Sequence, residues 1–233
     1  MSTTTPGTEH PLRRSTDPDR LPTVSLVVPV HPDDGDADWL LGRLPPRVSE
    51  VILVGPSEHG DADVPHAGLL AAAGDYIVVM GADGSMSPRE IPHYLHYLES
   101  GYDFVKGSRF IAGGDFTDYP LLRRLGHHAL LRVARRLYGQ HLTDLWYGFC
   151  AFRRGFVDLL DLRPNGYELG AELVAHALHY GLRVAEVPSL EQPRRHGPAH
   201  PHTVRDGARI LGTLLDERPH NVLPRLAPGA LQQ

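Results

Sequence analysis

What most constrains this chain is a series of short, continuously apolar, β-branched runs separated by helical patterns. "TVSLVVPV" (23–30), "VSEVILVG" (48–55) and "DYIVVMG" (75–81) do not alternate like strands with one wet face. Each therefore reads as a strand buried on both sides. "DADWLLGRL" offers a short helix after the first run, and "HAGLLAAAG" a second before the third. "SPREIPHYLHYLESG" follows, with Ser87 as its cap and Pro88 in its first turn, and "YDFVKGSRF" supplies a fourth strand. Alternation of this kind predicts an α/β fold, a mostly parallel sheet with helices on both faces. Ligands in such sheets bind beyond the carboxyl ends of the strands. "VVMGADGSMSPREIP" (78–92) brings a single aspartate, Asp83, to one of those ends.

The second half is less regular. "YPLLRRLGHHALLRVARRLYG" predicts a long amphipathic helix with Leu122, Leu125, Ala129, Val133 and Leu137 on its apolar stripe. Arg124, Arg135 and the histidines between them fall opposite, a face suited to an anionic membrane surface or simply to water. "YGFCAFR" predicts a strand at an edge of the sheet, "YELGAELVAHALHYG" a helix ending at Gly181, and "LRVAEVP" a last strand. "PSLEQPRRHGPAHPH" has the length of a substrate lid, and "VRDGARILGTLLDER" reads as the final helix. One domain over 23–218 is expected, between a disordered tail at 1–22 and a short tail at 219–233.

Composition narrows the function classes. A net charge of -5 argues against a nucleic-acid partner. The lone cysteine, Cys150, excludes an internal disulfide and fits a reducing cytoplasm. No apolar run approaches a membrane span, so the expected location is cytoplasmic with at most peripheral membrane contact. Twenty-two arginines stand against one lysine, Lys106, as in a GC-rich bacterial genome, which weakens each arginine as a functional signal. Neither a G-x-G-x-x-G nor a P-loop occurs, and "GPSEHGD" does not have the spacing of a serine nucleophile turn. The pairs His93/His96 and His176/His179 and the adjacent His127/His128 lack a nearby carboxylate to complete a metal set, and read as packing or surface residues.

Taken in order, "SLVVPV", "EVILVG", "AAAGDYIVVMGADGSMSPREIP", "DFVKGSRF", "LTDLWYGFCAFRR", "VAEVPSLEQPRR" and "DGARILGTLLDER" resemble family 2 glycosyltransferases of the GT-A fold. The likeness is greatest to the dolichyl- or polyprenyl-phosphate sugar synthases. It implies a nucleotide-sugar donor, a polyprenyl-phosphate or small-molecule acceptor, and transfer with inversion. In that family an Asp-x-Asp pair holds Mg²⁺ or Mn²⁺ against the donor diphosphate, where the cation stabilises the charge that develops on the leaving group. Asp83 matches the second member and is the implied metal ligand; Gly81 replaces the first.

The resemblance places the donor against Pro29, Gly55, Asp83 and Gly84, with Gly55 where the family has a nucleoside-contacting aspartate. Asp61 or Asp63 is a conceivable substitute. Lys106, Ser108, Arg109 and Arg124 match the acceptor stretch, where an arginine fork suits a phosphate. Trp146 and Tyr147 either stack on the acceptor or pack in the core. Asp144 matches an aspartate near the reaction centre, to orient the acceptor or serve as general base; an ionised phosphate acceptor needs no base. The thinned donor side leaves two alternatives open: a catalytically silent binding or scaffold protein, and a GT-A fold turned to another substrate.

Overall fold

The computed structural model describes residues 20–30, 38–55, 64–116, 121–160 and 169–195, and a few positions between 207 and 215. Eight strands and five α-helices are found among them: β1 Val24–Pro29, α1 Asp38–Leu41, β2 Val48–Val54, α2 Val64–Ala71, β3 Tyr76–Val79, α3 Ile91–Glu99, β4 Phe104–Ser108, β5 Asp115–Phe116, α4 Leu121–Tyr138, β6 Cys150–Arg153, α5 Leu169–His179, β7 Val184–Pro188 and β8 Leu190–Glu191.

Six strands form one sheet in the order β2-β1-β3-β6-β4-β7, and β5 pairs with β8 in a small parallel ribbon. β1 runs parallel to both β2 and β3, and β4 parallel to β7. Pleating divides the apolar runs between two cores. Val24, Leu26 and Val28 of β1, Tyr76 and Val78 of β3, Val105 of β4 and Ala151 of β6 face Ile91, Tyr94, Leu95 and Leu98 of the α3 segment. Val27, Ile77, Val79, Phe104, Cys150 and Phe152 face the other way, onto Leu69, Leu130, Ala134, Tyr138 and the buried side of α5. A strand with an apolar layer on each face needs the unbroken runs that the sequence contains.

Three expectations are corrected. "YGFCAFR" is no edge strand: β6 lies in the middle of the sheet, antiparallel to β3 and β4. Its Cys150, Ala151 and Phe152 are buried on both faces, which explains their uniform apolarity. The apolar stripe of α4 is rotated by about one residue. His127, Leu130, Ala134 and Tyr138 are buried while Leu125 is 61% exposed, so His127 belongs to the inner face rather than beside Arg124. The proline-opened helix begins with a 3-10 turn, Pro88–Glu90, and Ser87 occupies the cap position without a side-chain bond; its carbonyl accepts the Glu90 N–H at 3.0 Å.

Both tails fall mainly outside the described residues, as do Leu122's side chain, Asp61 and Asp63. At the near edge of the first tail, Arg20 pairs with Asp75 at 2.7 Å. α5 ends as read, with Gly181 at φ 66° supplying the left-handed residue of the helix stop. His93 and His96 lie on the exposed side of α3. His176 is buried near Glu172, yet no three His, Cys, Asp or Glu among the described residues are grouped to hold a metal.

Candidate active site

Two clusters stand at the carboxyl ends of β3 and β4. The first is the turn after β3. Asp83 is nearly buried, and its Oδ1 accepts the Ser85 N–H at 2.9 Å and the Ser85 hydroxyl at 2.6 Å. Arg194 approaches Oδ2 through Nε at 3.1 Å. The chain after β8 is strapped to this turn by its backbone: Gln192 N–H donates to Ser85 O at 2.9 Å, and Arg195 N–H to Asp83 O at 2.8 Å. Gly84 makes that approach possible. Its φ is 83°, and a Cβ there would stand 2.4 Å from Arg195 Cγ. Arg195 in turn lies over the Trp39 ring, whose Nε1–H donates to Ala82 O at 3.1 Å.

The second cluster surrounds the loop Thr143–Tyr147. Arg109, at the end of β4, grips Asp144 with a two-pronged contact, Nε to Oδ2 at 2.7 Å and Nη2 to Oδ1 at 3.0 Å. Its Nη1 reaches Glu191 at 2.8 Å, and its guanidinium lies 5.0 Å from the centre of the Tyr147 ring. Asp144 Oδ1 also accepts the N–H groups of Trp146 and Tyr147 at 3.0 and 3.2 Å. Glu186 of β7 accepts the Thr143 N–H and hydroxyl and the Asp144 N–H. Ser108 Oγ meets Thr143 Oγ1 at 2.6 Å, His127 Nε2 meets Thr143 O at 3.0 Å, and Lys106 Nζ donates to Tyr147 O. Ser189 Oγ bonds to both Glu90 and the Tyr147 hydroxyl, tying this loop to the helix that follows Asp83.

The ionisation states follow from these contacts. Burial works against the Asp144 carboxylate, but Arg109 outweighs it and brings Asp144 down to about 2. So acidic a group is a poor proton acceptor at neutral pH. Burial lowers the Lys106 ammonium, raises the Glu186 and Glu90 carboxyls, and lowers His127. These shifts make stability depend on pH with opposing signs. Buried His127 takes its proton less readily folded than unfolded and works against the fold as pH falls from 7. Glu90 and Glu186 take protons more readily folded and work for it, so these groups oppose one another. Asp144 acts at more acid pH: its contribution is complete above the unfolded value of about 4 and is lost as pH falls towards 2. That loss is on the order of 2–3 kcal/mol. Urea midpoints should fall as pH drops from about 4 towards 2 and Asp144 is protonated; midpoints that stay level over that range would contradict this.

The sequence-derived residues fall into distinct places. Asp83 and Gly84 share one turn, with Gly81 immediately before it. Pro29 ends β1 half-buried, and Gly55 follows β2, exposed with open space around its Cα. Lys106, Ser108, Arg109, Asp144 and Tyr147 come together in the second cluster, all buried. Trp146 is half-buried against the core on the α5 side. Arg124 stands apart on the exposed face of α4. Residues that sequence reading left without a role are Ser85, Glu90, Thr143, Glu186, Glu191, Arg194 and Arg195. One signal was available for Glu186: a carboxylate inside the apolar run "VAEVP" needs a buried partner.

Sheet order, the antiparallel β6 and the turn after β3 define a GT-A glycosyltransferase fold. Glucosyl-3-phosphoglycerate synthase of Mycobacterium tuberculosis, solved with Mn²⁺, UDP-glucose and phosphoglyceric acid, superposes with a TM-score of 0.65 over 84% of this chain and 79% of its own, at 18% identity. The sequence model of Glycosyl transferase family 2 matches residues 52–160, a span that holds both clusters except Trp39 and the residues from Glu186 to Arg195. An undecaprenyl-phosphate mannosyltransferase of Micrococcus luteus is 30% identical over 169 residues, 70% of this chain and 69% of the relative. The chain belongs to glycosyltransferase family 2. A dolichol-phosphate mannosyltransferase of Pyrococcus furiosus is 28% identical over 70% of this chain, and a polyprenol monophosphomannose synthase of Mycolicibacterium smegmatis 32% over 48%. The chain spans less than half the length of these two, 46% and 43% respectively.

Proposed function

We propose that this glycosyltransferase moves a hexose from a nucleoside diphosphate donor to the phosphate of a polyprenyl lipid, with inversion at the anomeric carbon. The observation that carries the reading is the adjacency of the two clusters. The Asp83 turn and the Arg109–Asp144 loop lie at the same end of the sheet and are joined by the stretch from Ser189 to Arg195. A donor diphosphate and an anionic acceptor can thus meet at one place. The names of the family relatives support the substrate classes.

In this reading an acceptor phosphate oxygen forms the new bond to the anomeric carbon, and the nucleoside diphosphate leaves with the electron pair of the broken bond. The nucleophile is already ionised, so no side chain need take a proton. The Arg109–Asp144 pair, with Lys106 and Ser108 beneath it, shapes and holds the loop on which the acceptor rests. Arg124, with Arg132, Arg135 and Arg136 on the exposed face of α4, supplies positive charge for the lipid's phosphate and for an anionic bilayer surface. No helix among the described residues is long and apolar enough to cross a membrane, and peripheral contact through α4 fits that.

The test is transfer from radiolabelled nucleotide sugars to a short-chain polyprenyl phosphate. A chloroform-soluble, acid-labile lipid-phosphate sugar is the expected product. Arg124→Ala should weaken the apparent lipid affinity several-fold while stability stays within about 0.5 kcal/mol, the usual range for an exposed site. Transfer to a water-soluble acceptor alone would redirect the proposal to a small-molecule substrate.

A further inference from the structure

The Asp83 turn lacks the donor set of a divalent-cation site. Gly81 stands where a second carboxylate is expected, and both oxygens of Asp83 are engaged, Oδ1 by Ser85 and Oδ2 by Arg194. Hard divalent cations take several oxygen ligands. Asp83 is the one carboxylate that the described turn offers, and a guanidinium already rests on it.

We propose that Arg194, steadied by Arg195, takes the cation's place: it neutralises the donor diphosphate directly, and nucleotide binding does not require a divalent metal. The proposal rests on the nucleotide-donor reading above. Charge balance favours it. Two carboxylates with a dication sum to zero, and so do one carboxylate and one guanidinium; losing the carboxylate at position 81 is matched by replacing the dication with a single positive charge. Geometry favours it too. Nε of Arg194 lies 3.1 Å from Asp83 Oδ2, and a guanidinium has five N–H donors in all, in the fork that suits phosphate oxygens. The side chain keeps 38% of its surface open.

Placement of this charge is built into the backbone. The bonds from Gln192 to Ser85 and from Arg195 to Asp83 fix the strap, and Gly84 removes the Cβ that would push Arg195 away. A cation held in place by main-chain contacts loses little freedom when the ligand arrives. The arginine's pairing with Asp83 also directs it: the carboxylate holds the guanidinium over the strand end rather than letting it swing into solvent.

Calorimetric titration of the full chain with a panel of nucleoside diphosphates, in EDTA and again in Mn²⁺, tests the inference. Wild type is expected to bind one of them with affinities within about threefold in the two conditions. Arg194→Gln should weaken binding in EDTA at least tenfold, the worth of one charge-assisted contact. Asp83→Asn separates the two accounts: a metal ligand predicts that binding in Mn²⁺ is lost, whereas the arginine site predicts binding that is weakened several-fold, because the guanidinium loses its anchor, but equal in EDTA and Mn²⁺. Gly81→Asp should make binding depend on Mn²⁺. A side chain is accepted there, because a Cβ would meet nothing nearer than Asp83 Oδ1 at 3.7 Å and φ is not positive. Wild-type binding that vanishes in EDTA overturns the inference and leaves the nucleotide donor intact; such a result would also follow if Asp61 or Asp63 supplied ligands. An Arg194→Gln protein that binds like wild type overturns it as well. If no nucleoside diphosphate binds in either condition, the donor reading falls together with this one.

Discussion

Arg109→Ala is expected to destabilise the protein by about 3–5 kcal/mol, the cost of leaving one partner of a buried ion pair uncompensated. Arg109 is 3% exposed and Asp144 fully buried, so neither charge can recover water when the other is removed. Truncation would orphan the carboxylate that holds the N–H groups of Trp146 and Tyr147, remove the cation beneath the Tyr147 ring, and release Glu191. Against a typical stability of about 5–15 kcal/mol this is a large fraction of the total. Arg109→Lys keeps the charge but not the fork, and should recover only part of the loss. Urea unfolding checks both variants. If Arg109 served the acceptor alone, the lysine variant would lose lipid affinity at unchanged stability. If Arg109→Ala proved as stable as wild type, the pair would be no support of the fold. The acid limb of the pH profile supplies a second readout, because it depends on the Arg109–Asp144 contact and should flatten in Arg109→Ala.

Phe152→Ala is expected to cost a similar 3–5 kcal/mol by a different mechanism, lost apolar burial plus the cavity left behind. Phe152 lies in the central strand β6, fully buried, stacked on Phe104 with ring centres 5.7 Å apart and edge-on to Phe156 at 5.3 Å. Packing on both sides of a central strand leaves little room for collapse, which places the expected loss towards the upper end of the range. No ionisable partner changes, so the stability–pH curve should keep its shape and shift downward as a whole. Urea midpoints across the same pH series distinguish the two variants: a change of shape belongs to Arg109, and a uniform drop to Phe152. A loss below about 1 kcal/mol in Phe152→Ala would show that the three rings are packed less tightly than their geometry indicates.

Much of the site was legible before any coordinates, because its signals are local. A strand running out onto Asp83, the glycine after it and the proline-opened helix all follow from neighbours in the chain. So does the α/β class, since period and β-branching report burial within a window of a few residues. The resemblance of seven ordered phrases assigned Lys106, Ser108, Arg109, Arg124, Trp146 and Tyr147 to the acceptor and Asp144 to the reaction centre. Lys106, Ser108, Arg109, Asp144 and Tyr147 lie in one cluster, and Arg124 stands apart on α4. What each of them touches was not legible. Arg109 reads identically whether it faces solvent, phosphate or Asp144, since that partner lies 35 residues further on.

The chain by itself determined the six strands of the main sheet and the five α-helices, the family to which it belongs, and the aspartate that follows β3, because these depend on residue type and short-range periodicity. The two-residue strands β5 and β8 left no such signal. Tertiary structure alone decided the rest. It set β6 in the centre of the sheet rather than at its edge, since an apolar run looks the same in either place and only pairing with β3 and β4 fixes its neighbours. It chose His127 over Leu125 for the buried face of α4, because a small rotation of an arginine-rich helix changes which stripe meets the core. It also brought Arg194 from the far end of the domain onto Asp83, through backbone bonds that carry no side-chain signature and therefore leave no trace in sequence.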